Sequence, residues 1–180
     1  MKKMETERLV LRKLEHTDAI DVFEYCQFED IVDMVGMRHH NSIEFTNKYI
    51  NHELSKSETL AIVLKKKDKL IGTISLRETQ NDSNLDIRLL SAVINPIYWG
   101  NGYAPEAIKE VVKFAFEIEK VHKVLGGHYS FNNQSGSVNK KLGFVYEGRQ
   151  REVYIYKGKL VDAIEYSLLF KDYEEASKKW

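Results

Sequence analysis

One strand-to-helix junction near the middle constrains this chain more than any other feature. A β-rich run over residues 85–95 stops at Pro96, and Trp99-Gly100-Asn101-Gly102-Tyr103-Ala104 forms a turn. Pro105 then suits the first turn of a helix, where its missing N–H would have been unpaired in any case. Ala104, Ile108, Val111, Val112 and Ala115 recur behind it at helical spacing. Residues 123–129 read as the next strand. Strand, loop, helix and strand over residues 85–129 make a βαβ-like unit, which places a helix on the face of a sheet.

The flanking segments supply the remaining strands. Residues 8–12 alternate polar and apolar, as a half-buried strand does. His16-Thr17-Asp18 caps a short helix carrying Ile20, Phe23 and Tyr25, and residues 29–41 read as irregular. Ser42 caps a second helix with Tyr49, Ile50 and Leu54 turned inward. Residues 59–64 and 70–76 are β-rich runs joined by the charged turn Lys65-Lys66-Lys67-Asp68-Lys69, and residues 81–84 form a second turn. Residues 132–142 suit a short helix closed by Gly143. Residues 144–147, 152–156 and 161–169 complete a β-rich end. With no repeat, low-complexity tract or linker, the expectation is one α/β (α+β) domain over residues 1–180. Its centre would be a mixed, mostly antiparallel sheet flanked by helices.

Composition removes several classes of function. At 43% hydrophobic residues the chain has enough apolar side chains for a core and is not a disordered segment. Lys+Arg 27 against Asp+Glu 27 leaves no net charge to attract nucleic acid or an anionic membrane. The first residues lack the apolar core of a signal peptide, and no run approaches the roughly 18 apolar residues of a membrane span. The single cysteine, Cys26, makes no internal disulfide, so a cytoplasmic protein is expected. The six histidines lack metal-ligand spacing, so no metal is expected.

The junction itself is an anion site in outline. Backbone N–H groups at a helix start point outward, the helix dipole favours negative charge, and Gly100 and Gly102 let a phosphate come close. A Walker A loop is absent, and the dinucleotide fingerprint fails where Pro105 stands in place of its third glycine.

Residues 95–107, Asn-Pro-Ile-Tyr-Trp-Gly-Asn-Gly-Tyr-Ala-Pro-Glu-Ala, resemble the acetyl-CoA loop of the GNAT superfamily, in particular its RimJ/RimL-like branch. Residues 132–144 resemble its second block, N-x-x-S followed by an apolar residue and K-x-G-F. Glu147-Gly148, Arg151, Gly158, Asp162 and residues 166–169 resemble its closing hairpin, and residues 6–12 its first strand. The resemblance implies an acetyl-CoA-dependent N-acetyltransferase acting on a primary amine: a protein N-terminus, a polyamine or another small amine. It implies that Trp99, Gly100, Asn101, Gly102, Tyr103, Ala104 and Pro105 hold the CoA pyrophosphate, and that Ala92, Val93 and Ile94 pair with the pantetheine amides. An N–H near Val93 or Ile94 would bind the oxyanion. Asn132 would hydrogen-bond the pantetheine arm, and Asn139 belongs to the same cofactor-side set.

Some relatives carry a tyrosine acid where this chain has Asn139, which has no proton to give, so Ser135 is the candidate general acid. Leu89 stands where relatives often carry glutamate, and Glu78, acting through water, is the candidate base. Trp99 replaces a common Gln or Arg, and Pro105 a common Thr or Ser. Leu89 and Asn139 keep a rival open, a non-catalytic acyl-CoA-binding sensor of the same fold. The acidic run Glu24, Glu29, Asp30 and Asp33 borders the implied acceptor pocket and suits a cationic amine or an ordinary solvated face. The closing strands offer an edge for a homodimer.

Overall fold

β-strands and amphipathic helices build the structure, a computed structural model describing residues 1–56, 58–80 and 84–180. The anticipated turn at 81–84 thus lies, for residues 81–83, outside the described residues. Two compact units emerge, one of residues 1–76 and 91–110, the other of residues 77–90 and 111–180.

In the first unit, β1 (Met4–Glu5) pairs antiparallel with β2 (Leu9–Lys13), β2 with β3 (Thr59–Leu64), and β3 with β4 (Lys69–Glu78). β3 is buried along its whole length, which explains its unbroken apolar run. Helices α1 (Ala19–Cys26), α2 (Glu29–Asp33) and α3 (Ile43–Lys56) supply the rest of the core. Val22, Tyr25, Ile50, Ala61, Val63 and Val93 lie in one cluster. Arg12 forks onto Asp18 at 2.8 and 2.7 Å, and Asp18 also accepts the Glu15 N–H, which fixes the entry to α1.

Two expectations are corrected here. The buried stripe of α1 is Ala19, Val22, Tyr25 and Cys26, and Ile20 is 74% exposed. Residues 29–33 are helical although the stretch 29–41 reads as irregular, because five residues are too few to show a period. Ser42 acts as expected, its Oγ accepting the Phe45 N–H at 3.2 Å.

β5 (Ile87–Ile94) contributes its last residues to this unit. The Asn95 N–H donates to the Ile71 carbonyl at 2.8 Å. A Cβ on Gly72 would stand 2.1 Å from the Val93 carbonyl oxygen, so only glycine permits this approach. A turn at Pro96–Tyr98 follows, and α4 (Tyr103–Lys113) then leads into a wider turn at Phe114–Ile118.

In the second unit, the first residues of β5 run parallel to β6 (Lys123–Tyr129), with Ile87, Arg88 and Leu89 opposite Lys123, Val124 and Leu125. β6 pairs antiparallel with β8 (Lys159–Leu169), and β8 with β7 (Val145–Tyr156). Strand order is therefore β1-β2-β3-β4-β5-β6-β8-β7, a mixed sheet of eight strands. Residues 144–147 and 152–156 belong to one strand, not two. Bulges near Gly148 and between Gln150 and Tyr154 interrupt its alternation while β8 keeps it paired. Helix α5 (Asn133–Lys141) follows β6, and α6 (Phe170–Ser177), which the sequence did not signal, follows β8. Phe116 and Tyr173 stack with centroids 5.4 Å apart and seat α6. Among the described residues no helix is long and apolar enough to cross a membrane.

His40 links this packing to pH. It is 1% exposed, its Nδ1 lies 3.0 Å from Thr46 Oγ1, and Phe45 and Tyr49 flank its ring at 5.1 and 5.2 Å. Burial, and secondarily the charge of His39, lowers its pKa to about 4. The unfolded chain takes up this proton near 6.5 and the folded chain only near 4, so stability is full above pH 6.5 and falls as pH drops through that window. Denaturant titrations at pH 7.5 and 4.5 are expected to differ by about 2–3 kcal/mol more for the wild type than for His40→Gln.

Candidate active site

The loop after β5 owes its shape to side chains that bond their own neighbourhood. Asn95 Oδ1 accepts the Ile97 N–H at 3.1 Å and turns the chain. Asn101 Nδ2 donates to the carbonyls of Tyr98 and Trp99 at 3.1 and 3.0 Å. Trp99 Nε1 donates to the Ile94 carbonyl at 2.6 Å, tying the loop back to the strand. Trp99 is therefore an anchor of the loop. Gly100 and Gly102 have φ of 77° and 78°, a region L side chains avoid.

This geometry leaves donors unspent. The backbone N–H groups of Gly100, Asn101, Gly102, Tyr103 and Ala104 have no acceptor among the described residues, and the Glu106 N–H is the first to turn inward, to Gly102 at 3.2 Å. Space is open where a Cβ on Gly100 would stand. A cluster of outward N–H groups at the start of an eleven-residue helix fits a diphosphate.

Glu106, in the first turn of α4, locks the loop to the link between β1 and β2. It accepts the Arg8 backbone N–H at 2.9 Å, Arg8 Nε at 2.7 Å, Arg8 Nη2 at 2.6 Å and the Thr6 hydroxyl. Burial pushes this carboxyl up, but the hydrogen bonds from Thr6 and Arg8 outweigh burial and hold it below the usual carboxylate range. Arg8 Nη1 also donates to the Asn101 carbonyl at 3.0 Å, and the guanidinium lies 4.6 Å above the Tyr103 ring. The sequence reading missed Thr6, Arg8 and Glu106 as parts of the site. Their signal was an acid in the first helical turn together with the Thr-x-Arg before β2.

The β5–β6 ladder ends at Leu89 and Leu125, before the strand residues expected to pair with pantetheine. Because the Asn95 N–H faces β4, strand alternation sends the backbone groups of Ala92 and Ile94 to the opposite edge and those of Val93 toward β4. The Ile94 carbonyl is taken by Trp99. A cavity of about 760 Å³ in the first unit is lined by Glu24, Phe28, Glu29, Asp30, Asn95 and Ile97 among others. Hydrogen bonds from Lys69 and then Asn95 hold the Glu24 carboxyl below its ordinary range. Asp33 is not among the lining residues.

The second unit holds the candidates on α5. Asn132 caps the helix, its Oδ1 accepting the Ser135 N–H at 3.2 Å. The Ser135 side chain is half-buried and its hydroxyl has no partner among the described residues. Asn139 is 8% exposed, and its Oδ1 would lie 3.4 Å from a Cβ on Gly126 of β6. His128 stacks on Tyr166, and its Nε2 would stand 2.8 Å from a Cβ on Gly136, so glycine lets α5 approach β6. Glu78 is 76% exposed, its Oε1 3.9 Å from Arg88 Nη2, while Arg88 is engaged mainly by Asp86 at 2.8 Å. Among the described residues no group of His, Cys, Asp and Glu could hold a metal ion. Cys26 is buried, and burial pushes its thiol up to about 12.

The acetyltransferase (GNAT) domain model matches residues 8–145. The chain belongs to the GNAT family. It is an acyltransferase, and GNAT acetyltransferases use acetyl-CoA as donor. The uncharacterized N-acetyltransferase YokL, derived from the SPbeta prophage of Bacillus subtilis strain 168, is 29% identical over 168 residues, 93% of each chain. The GNAT acetyltransferase of Bacillus anthracis shares the fold with TM-score 0.84 and 24% identity, over 93% of this chain and 98% of that one. A spermidine N-acetyltransferase from Vibrio cholerae, solved with CoA and spermine, has TM-score 0.80 and 20% identity over 94% and 99%.

Trp99→Phe removes the bond to Ile94 while keeping an aromatic ring. The expected loss is about 1 kcal/mol of stability by denaturant titration. The KM for acetyl-CoA is expected to rise several-fold with kcat little changed, because the unspent donors lose their fixed direction.

Proposed function

We propose that this chain moves the acetyl group of acetyl-CoA to a primary amine of a small cationic molecule, a polyamine first, and that it sits in the RimJ/RimL-like branch. The observation that carries the reading is the set of unspent N–H groups from Gly100 to Ala104, a donor array matched to the CoA diphosphate. Glu29 and Asp30 on the cavity wall, beside a Glu24 already paired with Lys69, support a cationic acceptor. The polyamine named for the Vibrio cholerae structure is compatible with such an acceptor.

Each residue then takes a proposed role in that transfer. The loop from Trp99 to Pro105 holds the diphosphate. The outward edge groups of Ala92 pair with pantetheine, and the Ile94 N–H, on a residue whose carbonyl is held by Trp99, stabilises the oxyanion of the tetrahedral intermediate. The acceptor nitrogen attacks the thioester carbonyl, a C–N bond forms, and the C–S bond breaks. Ser135, with its uncommitted hydroxyl, relays a proton from water to the departing thiolate, giving up its own proton and taking one back. The ammonium proton leaves through water, with Glu78 as the solvent-side carboxylate. Asn132 and Asn139 stay on the cofactor side, one as the cap of α5 and the other packed at Gly126.

The test is CoA release, followed with a thiol dye, across polyamines, aminoglycosides, amino acids and short peptides with free N-termini. Polyamine-dependent turnover is expected, and Ser135→Ala is expected to lower kcat about 100-fold while leaving the KM for acetyl-CoA nearly unchanged. Glu78→Gln, replaceable by buffer, is expected to lower kcat no more than about threefold. Turnover confined to peptides would move the acceptor to a protein N-terminus. CoA binding without turnover on any amine would return the sensor reading.

A further inference from the structure

Arg8 lies far from the loop in sequence but grips it at three points. Its Nη1 holds the Asn101 carbonyl at 3.0 Å, its plane covers the Tyr103 ring at 4.6 Å, and Nε and Nη2 hold Glu106 at 2.7 and 2.6 Å. Glu106 in turn accepts the Arg8 backbone N–H at 2.9 Å, so the guanidinium is oriented from both ends. A lysine has no planar fork to make this set of contacts.

Two consequences follow. In a trans peptide the C=O and the next N–H point in opposite directions. Drawing the Asn101 carbonyl to Arg8 therefore aims the Gly102 N–H away from it, in keeping with that donor having no protein acceptor. Glu106 also places a carboxylate in the first turn of α4, where an uncompensated charge would repel a diphosphate; the guanidinium beside it cancels that charge. We propose that Arg8 is the positioning residue of the acyl-donor site: it fixes the Asn101–Gly102 peptide with its N–H outward and masks Glu106, so that donors bearing a diphosphate are favoured. The proposal deepens the acetyl-CoA reading and rests on it.

Binding separates this role from general loss of structure, because pantetheine has the thiol arm of CoA without its diphosphate. Calorimetric titrations with CoA and with pantetheine would be run on the wild type, Arg8→Ala, Arg8→Lys and the double variant Arg8→Ala/Glu106→Gln. Arg8→Ala is expected to weaken CoA about tenfold or more and pantetheine less than twofold. Arg8→Lys, without the fork, is expected to recover only part of the loss. The double variant is expected to bind CoA better than Arg8→Ala, since no unmasked carboxylate remains. Unchanged CoA affinity in Arg8→Ala, equal weakening of both ligands, or no recovery in the double variant would overturn the proposal. A wild type that binds CoA but acetylates no amine would refute the transfer reading alone, and one that binds no CoA would overturn both.

Discussion

Backbone donors left unspent at the start of α4 are the constraint around which the first unit is arranged. An N–H without an acceptor is tolerable only where water or a ligand can reach it, so this turn must remain open. Its neighbours then have to be held by side chains instead of by a packed backbone. Asn95, Asn101 and Trp99 do this within the loop, and Thr6 and Arg8 do it from the link between β1 and β2 through Glu106. Pro105 sits where a sixth N–H would otherwise lie, so the helix begins without that further orphan.

The β-scaffold beneath follows from close backbone approach. Gly72 brings β4 against the Val93 carbonyl, which fixes the end of β5 and hence the origin of the loop. In the second unit Gly136 and Gly126 act similarly, admitting His128 and Asn139 where α5 meets β6. Small residues at these points set helix and strand positions that larger side chains would have pushed apart.

Most of this architecture could be read from local pattern. β3 and β6 were visible as apolar or β-branched runs, the start of α4 from Pro105, and the cap of α5 from Asn132. What escaped was either too short or too dependent on distant partners. α2 has five residues, and α6 is seated by Phe116, more than fifty residues away, a contact no local window reveals; only its Asp172 cap on Leu169 is local. β7 read as two strands because Gly148 and the charged residues after it break the alternation, although β8 pairs on both sides of the break. The glycine loop was likewise legible, whereas its clamp was not: Arg8 looked like one polar residue of a half-buried strand, and its role depends on a fold that returns residues 101–106 to it.

The proposed acid–base pair, Ser135 and Glu78, is easier to understand when magnitudes are compared. Deprotonating an ordinary primary ammonium, with a pKa near 10.4, at pH 7.4 costs about 4 kcal/mol. Fixing two reactants in an attacking geometry contributes on the order of 7–11 kcal/mol. A buried, strongly shifted base is therefore not the largest requirement of amine acetylation, and a proton can leave through water to a carboxylate as exposed as Glu78. On the proposed reading, Leu89 and Asn139, at positions where the resemblance implies a glutamate and a tyrosine, are then compatible with transfer, provided the thioester is held rigidly. Rigidity is what the Trp99 tie, the Asn101 bonds and the Arg8–Glu106 clamp supply on the donor side. On the proposed reading, the chemistry of this chain accordingly depends more on how firmly it holds acetyl-CoA than on the strength of any proton acceptor.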